Sequence, residues 1–122
     1  MFLELKPDAI FTIATMSPGL NMEKNYDHPL EVVFPGQVGA WEKFAAAGIP
    51  TIAIRDTPRF PVSIPKCIGS AKKTSDCAFD RKTILPAELP SDLANAPEST
   101  VILDLTDGIC HPESCEPIEA VA

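Results

Sequence analysis

The run Ala45-Ala-Ala-Gly48, followed by Ile49-Pro-Thr-Ile-Ala-Ile54, constrains the fold of this chain more than any other stretch. Three alanines continue a helix, and a glycine after them supplies the left-handed residue that ends one. The next six residues are mostly apolar and β-branched, as in a strand buried on both faces of a parallel sheet. Asp56-Thr-Pro58 stops that strand, because proline cannot donate to a ladder and Asp and Thr favour turns. A helix that delivers a buried strand ending in a polar turn is half of a βαβ unit. In open α/β sheets ligands bind beyond the carboxyl ends of the strands, so Asp56 to Phe60 should form the functional rim.

Two further runs match the first. Lys6-Pro-Asp-Ala-Ile-Phe-Thr-Ile-Ala-Thr15 predicts a strand over roughly Ala9–Thr15, and Thr100-Val-Ile-Leu-Asp-Leu-Thr106 predicts one over Val101–Leu105. Pro35 to Ala47 predicts the helix between the first two strands. Pro35 suits its first turn, and Val38, Trp41 and Ala45 fall at i, i+3 and i+7 with Phe44 beside them. That stripe should cover the sheet, with Trp41 in the core. Pro86, Pro90 and Pro97 confine any later helix to short pieces, starting at Pro86 or capped by Ser91. The 13 prolines in 122 residues, about twice the average share, predict long ordered loops. Each connection is long enough for a crossover, so all three strands should be parallel. The expected fold is an incomplete α/β sandwich built on a parallel sheet. Little chain precedes Ala9, so the first strand should present an edge that promotes self-association.

Four cysteines, Cys67, Cys77, Cys110 and Cys115, bracket two short polar loops. Four allow three connectivities, of which two local staples, Cys67–Cys77 and Cys110–Cys115, are the economical choice. His111 beside Cys110 raises the question of zinc, but Cys67 and Cys77 stand too far apart for the usual paired-ligand spacing. Disulfides imply an oxidising compartment. Met1-Phe-Leu-Glu-Leu-Lys-Pro7 has neither a basic leader nor a cleavage site, so it does not read as a signal peptide. Export then requires a longer carrier, and the sequence reads as a fragment of one. A net charge of −7 argues against a nucleic-acid partner, which needs clustered cations. No apolar run reaches the ~18–20 residues of a membrane span.

The order of these features resembles one family. A helix ending in glycine leads to Ile-Ala-Ile-Arg-Asp-Thr-Pro-Arg-Phe60, then Pro65-Lys-Cys67 and Asp76-Cys-Ala-Phe-Asp-Arg81. After a proline-rich gap come Val101-Ile-Leu-Asp-Leu-Thr-Asp-Gly-Ile-Cys110 and Cys115. From about Lys6 to Cys115 this is similar to the extracytoplasmic SGNH-type domain fused to membrane acyltransferases of the acyltransferase-three family. The resemblance implies a flavodoxin-like three-layer sandwich outside the cytoplasmic membrane, attached to it through the parent protein. It also implies O-acyl transfer, usually acetyl, from a donor handled by the membrane domain to a cell-surface glycan or other envelope acceptor. No cofactor is implied.

Family catalysis uses a Gly-Asp-Ser nucleophile and an Asp-x-x-His pair, and neither motif occurs in this sequence. Gly19-Leu-Asn21 has the lettering of the family's oxyanion block, although it comes several residues late and lacks the following Asp. No residue is assigned as catalytic. Ser17 and Ser70 lie in common loop dipeptides, and His28 precedes Pro29 in a polar stretch. Asp56 and Asp104 stand near strand ends, where paired carboxylates could do acid–base work or simply cap turns. Arg55 and Arg59 flank the rim turn and could receive an acidic or hydroxylated ligand. Three functions follow: part of an SGNH acyltransferase or esterase, a related non-catalytic module that holds a glycan or a partner, or a small stapled secreted protein.

Overall fold

The computed structural model describes residues 2–16 and 31–117. In chain order its elements are α1 (Phe2–Leu5), β1 (Ile10–Ile13), α2 (Gln37–Ala46), β2 (Thr51–Ile54), α3 (Ile64–Ser70), β3 (Phe79–Asp80), α4 (Arg81–Ile84), β4 (Thr100–Leu103) and β5 (Ser114–Cys115). Tight 3-10 turns occupy Thr74–Cys77, Ser91–Asn95 and Thr106–Gly108. The chain forms two compact units, Met1–Asp56 with Glu88–Asp104, and Thr57–Ala87 with Leu105–Ala122.

The first unit is built on a parallel sheet in the order β1-β2-β4. Ile10 lies beside Thr51, which lies beside Thr100, and the ladder continues in that register to Ile13, Ile54 and Leu103. The parallel arrangement expected from long connections is therefore present. β1 and β4 end at Ile13 and Leu103, short of their apolar runs, and Thr15 and Asp104 just beyond them make side-chain bonds. Helix α2 begins two residues after Pro35, since Gly36 adopts a left-handed φ of 85° that no helix continues. At its other end Gly48 takes φ 77°, the conformation its place in the sequence requires.

Alternation along the strands decides which face α2 covers. Ala14 and Ala53 pack with Trp41 and Leu93, flanked by Val38, Phe44 and Ile102. Two alanines on the sheet leave room for the indole of Trp41, which is 2% exposed. The opposite face carries Phe11 and Ile13 of β1, Ile52 and Ile54 of β2, and Val101 and Leu103 of β4. Burial on both faces was the expectation, and it is corrected here: Phe11 is 69% and Val101 51% exposed. The cause is topological. The strands advance in one direction, so right-handed crossovers fall on one side of the sheet. Leu89, Leu93 and Ala96 of the second crossover accordingly join α2 on its own face.

The second unit is small and covalently stapled. β3 and β5 pair antiparallel, with Phe79 opposite Cys115. Ile84, Cys110 and Cys115 are buried with Phe60, Phe79 and Ile109 around them, and the rings of Phe60 and Phe79 meet edge to face at 5.7 Å. Cys67 is joined to Cys77 and Cys110 to Cys115, the two local pairings expected. α3 was not anticipated; Pro65 sits in its first turn and Cys67 on its body. α4 ends before Pro86 rather than starting there, since the residue before a proline disfavours helix. Ser91 is the first residue of a 3-10 turn whose N-cap position is filled by Pro90, so it does not take the capping position expected of it.

Two stability measurements check this description. The Cys67–Cys77 closure spans 10 positions and the Cys110–Cys115 closure 5, so loop entropy assigns them about 3 and 2 kcal/mol respectively. Non-reducing peptide mapping should recover those pairs alone, and the Cys67→Ser/Cys77→Ser variant should lose more stability than Cys110→Ser/Cys115→Ser. In the sheet, the hydroxyls of Thr51 and its neighbour Thr100 are buried with no hydrogen-bond partner among the described residues. Thr51→Val removes an unpaired polar group and should raise stability by about 1 kcal/mol, read as a higher urea midpoint at unchanged slope.

Candidate functional site

The carboxyl ends of β1, β2 and β4 converge on a single charged side chain. Arg55 follows β2 directly and continues the alternation of Thr51 and Ala53, which turns it towards the face that α2 covers. Its side chain is only 2% exposed. The Arg55 Nε and Nη2 groups each donate to one oxygen of the Glu31 carboxylate at 2.9 Å. Nη1 donates to Asp104 Oδ2, just past β4, at 3.0 Å. Thr15, just past β1, donates its hydroxyl to Glu31 at 2.7 Å and accepts the backbone N–H of Asp56 at 3.1 Å. One network thus joins the ends of all three strands to Glu31.

The fork of a guanidinium matches the two oxygens of a carboxylate, so Arg55–Glu31 is the strong, bidentate form of an ion pair. The Glu31 hydrogen bond is the main cause that holds the Arg55 pKa above its ordinary value, against burial, which pulls the other way; Asp104 adds to the rise. A raised pKa means the stabilisation is complete below the ordinary arginine value and is lost only as pH climbs through the higher folded-state value. Arg55 therefore imposes no loss of stability anywhere from neutral to moderately alkaline pH.

The structure places Arg55, offered by the sequence to an acidic or hydroxylated ligand, against the carboxylates of Glu31 and Asp104. Asp104, the exposed end of the network, is engaged with Arg55. Asp56 is half-buried and joins through its backbone N–H. Arg59 is exposed and belongs to the second unit. Ser17, Gly19, Asn21 and His28 lie outside the described residues. Ser70 donates its hydroxyl to the carbonyls of Lys66 and Cys67, the local back-bonding of a helix-end serine. His111 is exposed, and its carbonyl accepts from Arg81, which also binds Thr106 and Asp107. Among the described residues no group of three His, Cys, Asp or Glu is placed to hold a metal ion.

Two depressions are lined by described residues alone. One, of about 490 Å³, runs beside β1 between Leu5, Phe11, Gln37 and Trp41. The other, of about 500 Å³, lies in the second unit between Arg81, Lys82, Leu85 and Pro112. Neither is lined by serine, histidine or a carboxylate. Comparison with family models, with curated proteins and with solved structures finds no match to this chain.

Thr15 and Glu31 were not read as site residues. The available signal was indirect: an arginine directly after a buried strand requires a countercharge, and Glu31 abuts the apolar run Val32-Val-Phe34. The network yields a quantitative expectation. Glu31→Leu leaves a buried guanidinium without its main partner and should cost about 3–5 kcal/mol. Glu31→Leu/Arg55→Met removes both charges and should recover much of that loss. Asp104→Asn, at an exposed position, should cost less than about 1 kcal/mol. Urea denaturation of the four proteins, wild type included, measures all three differences.

Proposed function

We propose that this chain is part of an extracytoplasmic SGNH-type domain carried by a membrane acyltransferase, and that the whole protein transfers acyl groups, most simply acetyl, to a cell-surface glycan or another envelope acceptor. The observation that carries this reading is the cysteine frame. A parallel β-α-β core is followed by two locally closed disulfides, in the order and spacing on which the resemblance rests. Disulfides also accord with an oxidising location outside the cytoplasmic membrane. The flavodoxin-like three-layer sandwich belongs to the same proposal.

In this reading the present residues serve as scaffold. The Arg55 network fixes the carboxyl ends of the strands, the side of an α/β sheet on which ligands bind. Acyl transfer needs a nucleophile, a base and an oxyanion hole in contact, and the described residues bring no serine to a histidine. The nucleophile and its base would come from other parts of the parent protein. The second reading, a non-catalytic module that holds a glycan or a partner, is favoured by that same lack of a Ser–His pair among the described residues.

Transcript sequencing through both ends of this coding region discriminates between them. The acyltransferase reading expects an unbroken frame that reaches a Gly-Asp-Ser upstream and an Asp-x-x-His downstream, with glycan acetylation lost when that serine becomes alanine. A continuous domain without those motifs establishes the binding module instead. The purified 122-residue chain should hydrolyse p-nitrophenyl acetate no faster than buffer. Turnover abolished by Ser17→Ala, Ser70→Ala or His111→Ala would overturn the scaffold assignment.

A further inference from the structure

The cations of this acidic chain are unevenly placed. Residues 57–87 carry six of its 10 basic residues and two of its 17 acidic ones. Three of the six, Lys66, Lys72 and Lys73, gather on one small covalent ring. Lys66 sits on α3 beside Cys67, and Lys72 and Lys73 lie in the loop that the Cys67–Cys77 disulfide closes. A helical residue advances about 1.5 Å and an extended one at most about 3.6 Å, which keeps the three Cα atoms within about 17 Å. All three residues are exposed, and among the described residues none takes part in an ion pair. Asp76, the one acid inside the ring, accepts the backbone N–H groups of Lys72 and Lys73 at 3.2 and 3.3 Å. Arg81, by contrast, is taken by Asp107. A staple that holds three lysines together in this way presents a preformed positive surface.

We propose that this ring binds an acidic polysaccharide. Lysine supplies a hydrated point charge rather than the planar fork that fixes a single carboxylate or phosphate. Neither of the two depressions is lined by any of the three lysines. The ligand is therefore a linear polymer with repeated charges, not a small anion held in a pocket. Other polyanions fit less well. Single-stranded nucleic acid is held by stacking on aromatic side chains, and residues 61–78 contain none. Disulfides also accord with an oxidising compartment rather than the cytosol or nucleus. An anionic bilayer is a broad plane that meets the net charge of −7 of the whole chain as well as the ring, whereas a polymer strand touches the ring alone. That the polysaccharide is also the acyl acceptor rests on the acyltransferase reading; the binding does not.

The test titrates the full chain, 15N-labelled, with polygalacturonate, which carries a carboxylate on each sugar, and with uncharged dextran. At low ionic strength polygalacturonate should bind and dextran should not. Affinity should fall as salt is raised, because neutralised charges release counterions. Amide shift changes should centre on residues 66–73. Lys66→Gln/Lys72→Gln/Lys73→Gln should weaken binding at least tenfold, a difference of about 1.4 kcal/mol, with the melting temperature unchanged. Lys43→Gln, at an exposed position on α2, should leave binding as it is. Should the triple variant fail to fold, Lys72→Gln/Lys73→Gln and the shift map of the wild type still decide the matter. Equal binding of the two polysaccharides, or full binding by the triple variant, would overturn the proposal. So would tighter binding to duplex DNA, or to vesicles of equal parts phosphatidylcholine and phosphatidylglycerol, than to polygalacturonate. The readout is binding alone, so a parent protein that transfers no acyl group would leave this proposal standing.

Discussion

Arg55 is the residue on which the arrangement of the first unit depends. A guanidinium withdrawn from water is costly unless each polar group finds a partner, and its partners come from sequence positions 24 and 49 residues away. The bidentate pairing also fixes direction, because the Nε–Nη2 edge of the fork must lie in line with both Glu31 oxygens. Thr15 then extends the restraint to β1. Apolar packing of Trp41 against Ala14 and Ala53 gives the sheet its cover, but it would tolerate some sliding. The charged network sets where the strands stop. Removing one partner of such a pair costs more than removing both, because a lone buried charge is left behind.

The two units rest on different physics. The first has a ladder of three parallel strands, one covering helix and a buried ion pair. The second has a two-residue antiparallel pairing, short helices and a core in which half-cystines stand where larger apolar side chains would normally be. A core of that size cannot offset chain entropy without covalent help. The disulfides are thus the second unit's substitute for a larger interior.

Much of this was legible in the residues. β2 is legible because Gly48 ends the helix before it and Asp56-Thr-Pro58 stops it, and the observed strand, Thr51–Ile54, is the last four residues of the apolar run. The disulfide pairs follow from their brackets, and the parallel order from connection length. Other features were hidden for identifiable reasons. The bare face was invisible because a strand buried on both faces and one buried on a single face look alike when both sides are apolar, as in Ile10-Phe-Thr-Ile13. The pairing of Arg55 with Glu31 was hidden because the two stand 24 residues apart and Glu31 belongs to no periodic segment of the sequence. α3 was hidden by the prolines and small residues around Cys67, which give it no helical stripe.

The interleaving of the two units has a consequence for the order of assembly. The chain leaves the first unit after Asp56, returns at Glu88 and leaves again after Asp104. During synthesis β2 therefore emerges with one side unpaired, and it remains so until β4 arrives after the first part of the second unit. Arg55 waits through the same interval for Asp104. Local structure such as α2 and the Cys67–Cys77 loop can form early, but the sheet is completed only by a contact of long sequence separation, the kind that slows folding. No cut in the chain separates the two units cleanly, so they must be made, and unmade, as one polypeptide.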